Sequence, residues 1–331
     1  MRVLHLVLYS PGNHNYDRMM HATKTWYKQW SDRITTYYYW YDPTVKEVLM
    51  DPDEMTLRLP GKDTYVGILD KTLDAFRHFF NKHDGFDFVV RSNISTVLNL
   101  VNLLPIMIAL EQRLFYGGSH IMEVKSVSGS TVVDKSVLPL SFVQGTNIIL
   151  RKDAVLHLLE HAKDLNREIE DDASIGLFFR EEALLHNKGL HFLPQQVGSQ
   201  FAHFSSGYNV NNVTAFRNHH FHSDRDEDAR NVQSEVGVLL QRFVFLKTKQ
   251  AVSVVYYYTN IVTEKIVALC KAQQGTWVTN QDNAKLDALF GDPAPNLLKT
   301  LLVKFEDGDK QPFTQCANLI FSVVNNKLFV N

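Results

Sequence analysis

Residues Phe86–Val90 (FDFVV) are almost all apolar and run without a break into Arg91-Ser92-Asn93-Ile94-Ser95-Thr96. A short apolar run of this kind predicts a strand covered on both faces, as in the middle of a parallel sheet. Such a strand needs helices above and below it, and the flanking sequence supplies them. Between Gly67 and His83, the apolar residues Leu69, Leu73, Phe76 and Phe80 step by four, three and four, which is one face of a helix. Val3–Tyr9 and the aromatic Ile34–Tyr41 read as strands, with Tyr16–Trp30 as the helix between them. Ser95–Leu110 predicts a helix, Phe142–Leu150 a strand, and Asp153–Lys163 and Asp172–Leu185 two further helices. This β-α-β rhythm predicts an α/β fold with a mainly parallel central sheet.

The pattern changes near residue 240. Val252–Tyr258 and Leu301–Phe305 are strand-like, Val262–Gln273 is helical, and Leu319–Val324 is another strand. The expected organisation is an α/β domain over 1–244 and a small α+β extension over 245–331. The turn-prone Asp307-Gly308-Asp309 matches a D-x-D pattern, but its setting reads as a hairpin.

Charge and composition exclude several classes. With 34 basic and 36 acidic residues the net charge is −2, so the chain offers no broad lure for nucleic acid, and any phosphate site must be local. No run reaches the roughly 18 apolar residues of a transmembrane helix, and the apolar start is short for a signal peptide. The expected location is therefore cytoplasmic. Cys270 and Cys316 are too few for a disulfide framework and read as buried thiols. The sequence contains no G-x-G-x-x-G fingerprint, Walker A loop, G-x-S-x-G elbow or C-x-x-C pair.

Three clusters could carry chemistry. Ligands of an open parallel sheet sit at the carboxyl ends of its strands, which puts Arg91–Thr96 in position to meet them. A polar turn with Ser95 or Thr96 as helix N-cap would use the same residues. Glu170-Asp171-Asp172 stands at a helix start, where the dipole welcomes acids, but crowding carboxylates also raises a pKa towards that of a general base. Arg217–Asp226 holds His219, His220, His222, Arg217 and Arg225, groups that bind phosphate or divalent metals. An exposed polar loop is the plain alternative.

In order, these segments resemble family 31 glycosyltransferases, the β-1,3-galactosyltransferase and fringe-like group, with a closer likeness to soluble relatives from bacteria and large DNA viruses. Asp70-Lys71-Thr72-Leu73 resembles the family's L-x-x-K-T-L helix, and Phe86–Ser92 its strand ending in K-T-D-D-D. Phe142–Leu150 resembles the S-G-x-G-Y segment, Arg151-Lys152-Asp153 the following S-R-D, and Asp171–Gly176 the E-D-V-x-x-G block. The likeness covers 65–180 and does not reach 245–331. It implies a GT-A type, Rossmann-like sandwich that moves a sugar from a nucleotide donor, with a UDP-sugar expected, to a hydroxyl on a glycan or other acceptor. It also implies bacterial cytoplasm or infected host cytosol as the location.

The family's D-D-D falls on Asn93-Ile94-Ser95, which lacks a carboxylate, so dependence on Mn²⁺ or Mg²⁺ is expected to be weak or partial. Asn93, His219 and His220 are the candidate cation ligands. Lys71, Arg91, Asn93, Ser95, Gly145, Arg217 and Arg225 are the candidate donor-binding residues, with Gly145 and the pair Gly117-Gly118 allowing close backbone approach. Asp172 is the candidate base and Asp171 the neighbour that tunes it, a single-base arrangement that inverts the anomeric centre. The competing readings are a catalytically silent binding protein on the same fold and a metal-dependent hydrolase using the three histidines. The hydrolase is disfavoured because three histidines within four residues cannot converge on one point from regular structure.

Overall fold

A computed structural model of the chain describes residues 1–65, 67–82, 85–124, 139–201, 213–218, 225–248, 250–256, 260–261, 263–272, 276–278, 300–305, 310–314, 320–324 and 327–330. The chain divides into two compact units. One comprises 1–98, 110–204 and 215–236; the other comprises 99–109, 205–214 and 237–331. The second unit thus takes in two segments from the middle of the chain, where the sequence suggested a single boundary at 244/245.

The first unit is mixed α/β. Its elements run β1 (Val3–Leu8), α1 (His14–Lys28), β2 (Ile34–Asp42), β3 (Leu49–Asp51), β4 (Thr56–Pro60), α2 (Ile68–Lys82), β5 (Phe88–Asn93) and β6 (Thr96–Leu98). After α3 (Leu100–Leu110), which falls in the other unit but for its last residue, come β7 (Tyr116–Gly118), β8 (Ile121–Val124), β9 (Leu140–Val143), β10 (Asn147–Arg151), α4 (Lys152–Glu160) and α5 (Asp171–Leu184). Then follow β11 (Gln195–Gln196), β12 (Ser199–Phe201), β13 (Val213–Arg217), which enters this unit at Ala215, and α6 (Arg225–Thr248), which leaves it after Val236. An eight-stranded sheet has the order β11-β7-β10-β5-β1-β2-β4-β3. Its centre, β5-β1-β2-β4, is parallel, whereas β10 lies antiparallel between β5 and β7.

The apolar stepping of α2 does what its period predicts. Leu69, Leu73, Phe76 and Phe80 are all buried in the main core, with Leu4 and Leu6 of β1 and Tyr37 and Tyr39 of β2. Burying such side chains contributes roughly 1.5–3 kcal/mol each relative to exposure. α1 begins at Asn13, whose side chain accepts from the Asn15 N–H at 3.0 Å, satisfying one of the donors a helix start leaves open.

Three segments differ from the sequence reading. The strand at FDFVV extends to Asn93, because β1 keeps pairing beside it through Leu8↔Asn93. The expected helix at Ser95–Leu110 begins only at Leu100, since Thr96–Leu98 forms β6 and pairs antiparallel with Ala215–Arg217 of β13. The expected single strand Phe142–Leu150 is broken at Gln144–Thr146. Its first part pairs with β8, and its second joins the large sheet.

Gly117 and Gly118 stand within β7 rather than at a ligand-facing strand end. A Cβ on Gly118 would sit 2.3 Å from the Asn147 carbonyl oxygen, so these glycines permit close strand approach. Gly176 serves the same end for α5, where a Cβ would lie 2.2 Å from the Phe142 Cβ. Gly176→Ala should therefore push α5 off β9 and destabilise the first unit by about 1–3 kcal/mol. Denaturant midpoints of the variant and the parent measure this, and equal midpoints would mean that α5 is not seated so closely.

In the second unit, β14 (Gln250–Tyr256), β15 (Asn260–Ile261), β16 (Thr276–Val278), β17 (Thr300–Phe305), β18 (Lys310–Thr314), β19 (Ile320–Val324) and β20 (Lys327–Val330) form an antiparallel sheet accompanied by α7 (Thr263–Ala272). Cys270 of α7 is buried, while Cys316 and Asp307-Gly308-Asp309 lie outside the described residues. Among the described residues no helix is long and apolar enough to cross a membrane.

Candidate functional site

From β1 the chain moves outward through β2 and β4, then returns to place β5 on the other side of β1. That reversal is a topological switch point, and the crevice beyond the carboxyl ends of the strands on either side of it is where open α/β sheets bind ligands. Here it is a cavity of about 580 Å³. Leu8, Tyr9 and Ser10 follow β1 into it, and Asn93, Ile94 and Ser95 leave β5 beside them. Lys71 enters from α2, Gln144 and Gly145 from the turn before β10, and Asp171 and Asp172 from the first turn of α5. Arg217 closes β13 and Arg225 opens α6.

All nine catalytic and donor-binding candidates named from the sequence line this one cavity. His219 and His220 lie outside the described residues. Tyr9, Tyr16, Asp63, Tyr65 and Gln144 also line the cavity and escape sequence reasoning. The nearest local signal was the Pro11-Gly12 turn straight after β1, which marks a carboxyl edge without saying which side chains face it.

Arg91 organises the floor. Only 1% exposed, it donates from Nη1 to the Gly145 carbonyl at 2.7 Å and to Asn93 Oδ1 at 2.9 Å. Its Nη2 lies 2.8 Å from Asp171 Oδ2 in a buried ion pair. Burial works against this cation, but Asp171 and Tyr39 outweigh it and raise its pKa. Both terminal nitrogens of the guanidinium are thus engaged within the protein. It thereby positions Gly145, Asn93 and Asp171 at the edge of the cavity that it lines.

Gly145 is required beside it, because a Cβ there would approach Arg91 Nη1 to 2.8 Å and Asp172 Oδ2 to 3.3 Å. Lys71, 2% exposed, is similarly committed, ion-paired to Asp63. Burial still lowers its pKa despite that partner. Asp63 is in turn held by Ser10 Oγ at 2.8 Å.

Two groups differ from these. Asp172, 8% exposed, accepts from the Gly145 N–H at 2.7 Å and from the Ala173 N–H at 2.8 Å, which fixes its carboxylate in orientation. Burial, and next the charge of Asp171, push its pKa from 3.8 up to about 6, while those N–H groups and Arg91 hold it back. The Arg217 side chain, partly buried, makes no hydrogen bond or ion pair among the described residues; burial lowers its pKa, against which the charge of Asp172 works. An unpaired, half-desolvated guanidinium facing a cavity is a costly arrangement that an anionic ligand would relieve. Arg225 stands nearby, ion-paired to Asp228 at 2.9 Å, with its guanidinium 5.9 Å from the Tyr16 ring centre.

The residues fit a divalent cation poorly at Asn93. Its neutral amide oxygen already accepts from a guanidinium, whereas such cations want several oxygens, preferably anionic. Of the carboxylates lining the same cavity, Asp63 and Asp171 are already paired with Lys71 and Arg91.

No family model matches this sequence, and no curated protein matches it either.

Proposed function

We propose that this chain is a glycosyltransferase of GT-A type, moving a sugar from a nucleoside-diphosphate donor to a hydroxyl acceptor. The observation that carries this reading is the pairing, in one switch-point crevice, of an uncommitted guanidinium at Arg217 with an oriented carboxylate of raised pKa at Asp172. Sugar transfer needs both. An anionic leaving group must be held while a hydroxyl is deprotonated in attack. The acceptor proton passes to Asp172, the acceptor oxygen bonds the anomeric carbon, and the bond to phosphate breaks, with the diphosphate taking its electron pair. In-line attack with one base inverts the anomeric centre. Arg217, with Arg225 beside it, takes the charge that the family's metal would take. Its resemblance to the family across 65–180 and its mixed α/β architecture support the same reading.

Arg217→Gln tests where the anion sits. One charge-assisted hydrogen bond is worth about 1.5–3 kcal/mol, so nucleoside-diphosphate affinity should fall about 10- to 150-fold while the melting temperature of the unliganded protein holds or rises. Calorimetric titration with UDP and the other nucleoside diphosphates measures this. Unchanged affinity would place the diphosphate elsewhere. Tight binding without any transfer would instead favour a silent nucleotide-sugar binding protein.

A further inference from the structure

A second constellation of ligating side chains lies where α4 meets α5. His157, Glu160 and His161 stand at i, i+3 and i+4, and each offers a ligand atom within 4.8 Å of the other two. His157 and Glu160 lie at the end of α4 and His161 caps it, its N–H donating to the His157 carbonyl at 3.2 Å, so the three share one side of the helix end. His157 Nε2 is hydrogen-bonded to Glu182 of α5, which also accepts from Lys188 Nζ at 2.6 Å. His161 Nδ1 meets Asp164 Oδ2 at 3.2 Å. Each imidazole therefore rests one nitrogen on a carboxylate, leaving His157 Nδ1 and His161 Nε2 without a hydrogen bond among the described residues. A second-nitrogen carboxylate is the usual outer partner of a metal-ligating histidine, because it fixes tautomer and ring orientation.

We propose that His157, Glu160 and His161 form a site for a zinc-class divalent cation, with Glu182 and Asp164 as outer partners. Two imidazoles and one carboxylate suit Zn²⁺, Ni²⁺ or Cu²⁺, whereas Mg²⁺ and Ca²⁺ prefer a shell made wholly of oxygen. Three protein ligands leave a fourth position for water or another ligand. A His157–Glu182 ion pair alone would account for the link between helices. It does not account for the convergence on both imidazoles of the Glu160 carboxylate, which makes no hydrogen bond or ion pair among the described residues. Aromatic rings back the two imidazoles: Phe178 lies 5.5 Å from the His157 ring and 5.8 Å from the His161 ring, and Phe192 lies 5.4 Å from His157.

The site stands apart from the crevice. Glu182 follows Asp171 by eleven residues along α5, or ~16 Å at a helical rise of 1.5 Å per residue. A cation there would clasp α4 to the helix whose first turn carries Asp171 and Asp172.

The test is titration of chelator-stripped protein with ZnCl₂ by calorimetry, with Co²⁺ absorption reporting a nitrogen-containing coordination shell. One ion per chain is expected, together with a melting-temperature rise of about 3–6 °C at 100 times Kd. His161→Ala, at a partly exposed position, should abolish binding, and Glu160→Gln should weaken it. Asp164→Ala should weaken it by about 10- to 100-fold through loss of the outer partner. Substituting His219, His220 and His222 together should leave it unchanged. No binding by the parent, binding that survives His161→Ala, or binding lost with the other three histidines would each overturn the site. None of these readouts depends on sugar transfer.

Discussion

Asp172→Asn should lower sugar transfer by ~10²–10⁴-fold while leaving nucleoside-diphosphate binding in place, the range expected when a positioned base is lost. The amide keeps the carboxylate's shape and one oxygen to accept from Gly145 or Ala173 N–H, but it takes no proton. In the parent, transfer should rise with pH through about 6, where burial and Asp171 have moved the Asp172 pKa, and the variant should lose that limb. Stability should run the other way. The folded state holds this proton more tightly than the unfolded chain between pH 3.8 and about 6, so the carboxyl's contribution declines as pH rises through that window. Asp172→Asn should thus be no less stable than the parent at neutral pH. Single-turnover rates and melting temperatures across pH 4–8 read both effects. A variant with full rate would make the acid pair a helix start and nothing more.

The second large effect concerns Arg91. Arg91→Met keeps the side-chain length but removes the partner of Asp171 and the donor to Gly145 and Asn93. Breaking a buried ion pair from one side costs about 3–5 kcal/mol, because the remaining charge stays uncompensated. The acidic limb of the rate profile should also move upward, since Arg91 is one of the groups holding the Asp172 pKa down. Asp171→Asn should show comparable destabilisation by stranding Arg91. Sequence reasoning gave Asp171 a tuning role; the structure adds that of counter-ion. The double variant Arg91→Met/Asp171→Leu should recover much of the loss, as apolar pairs replacing buried ion pairs often do. Additive losses in the double variant would mean that the two side chains do not act as a pair.

What could be read from the sequence follows physical range. The stepping of Leu69, Leu73, Phe76 and Phe80 marks α2 because helix periodicity is a local signal. The crevice was legible through charge and polarity at strand and helix ends, which is how Arg91–Ser95, Asp171–Asp172 and Arg217–Arg225 were found. The strand β6 was not, because its partner Ala215–Arg217 lies over a hundred residues on and three β-prone residues before a helix carry no period. The roles within the cavity were illegible for the same reason. Only the fold shows that Lys71 and Arg91 are bound to Asp63 and Asp171, while the Arg217 side chain has no hydrogen bond or ion pair among the described residues. The His157–Glu160–His161 spacing was visible in the chain, but Glu182 comes to it only through packing of α5 on α4.

The most direct measurement is the release of nucleoside diphosphate from a panel of nucleotide sugars, with and without simple hydroxyl acceptors, by the parent and by Asp172→Asn. A transferase acting through Asp172 should release diphosphate from at least one nucleotide sugar, faster with an acceptor present, and lose that release by ~10²–10⁴-fold in the variant. Equal release by parent and variant, or none from any nucleotide sugar under conditions where the nucleoside diphosphates bind, would contradict it.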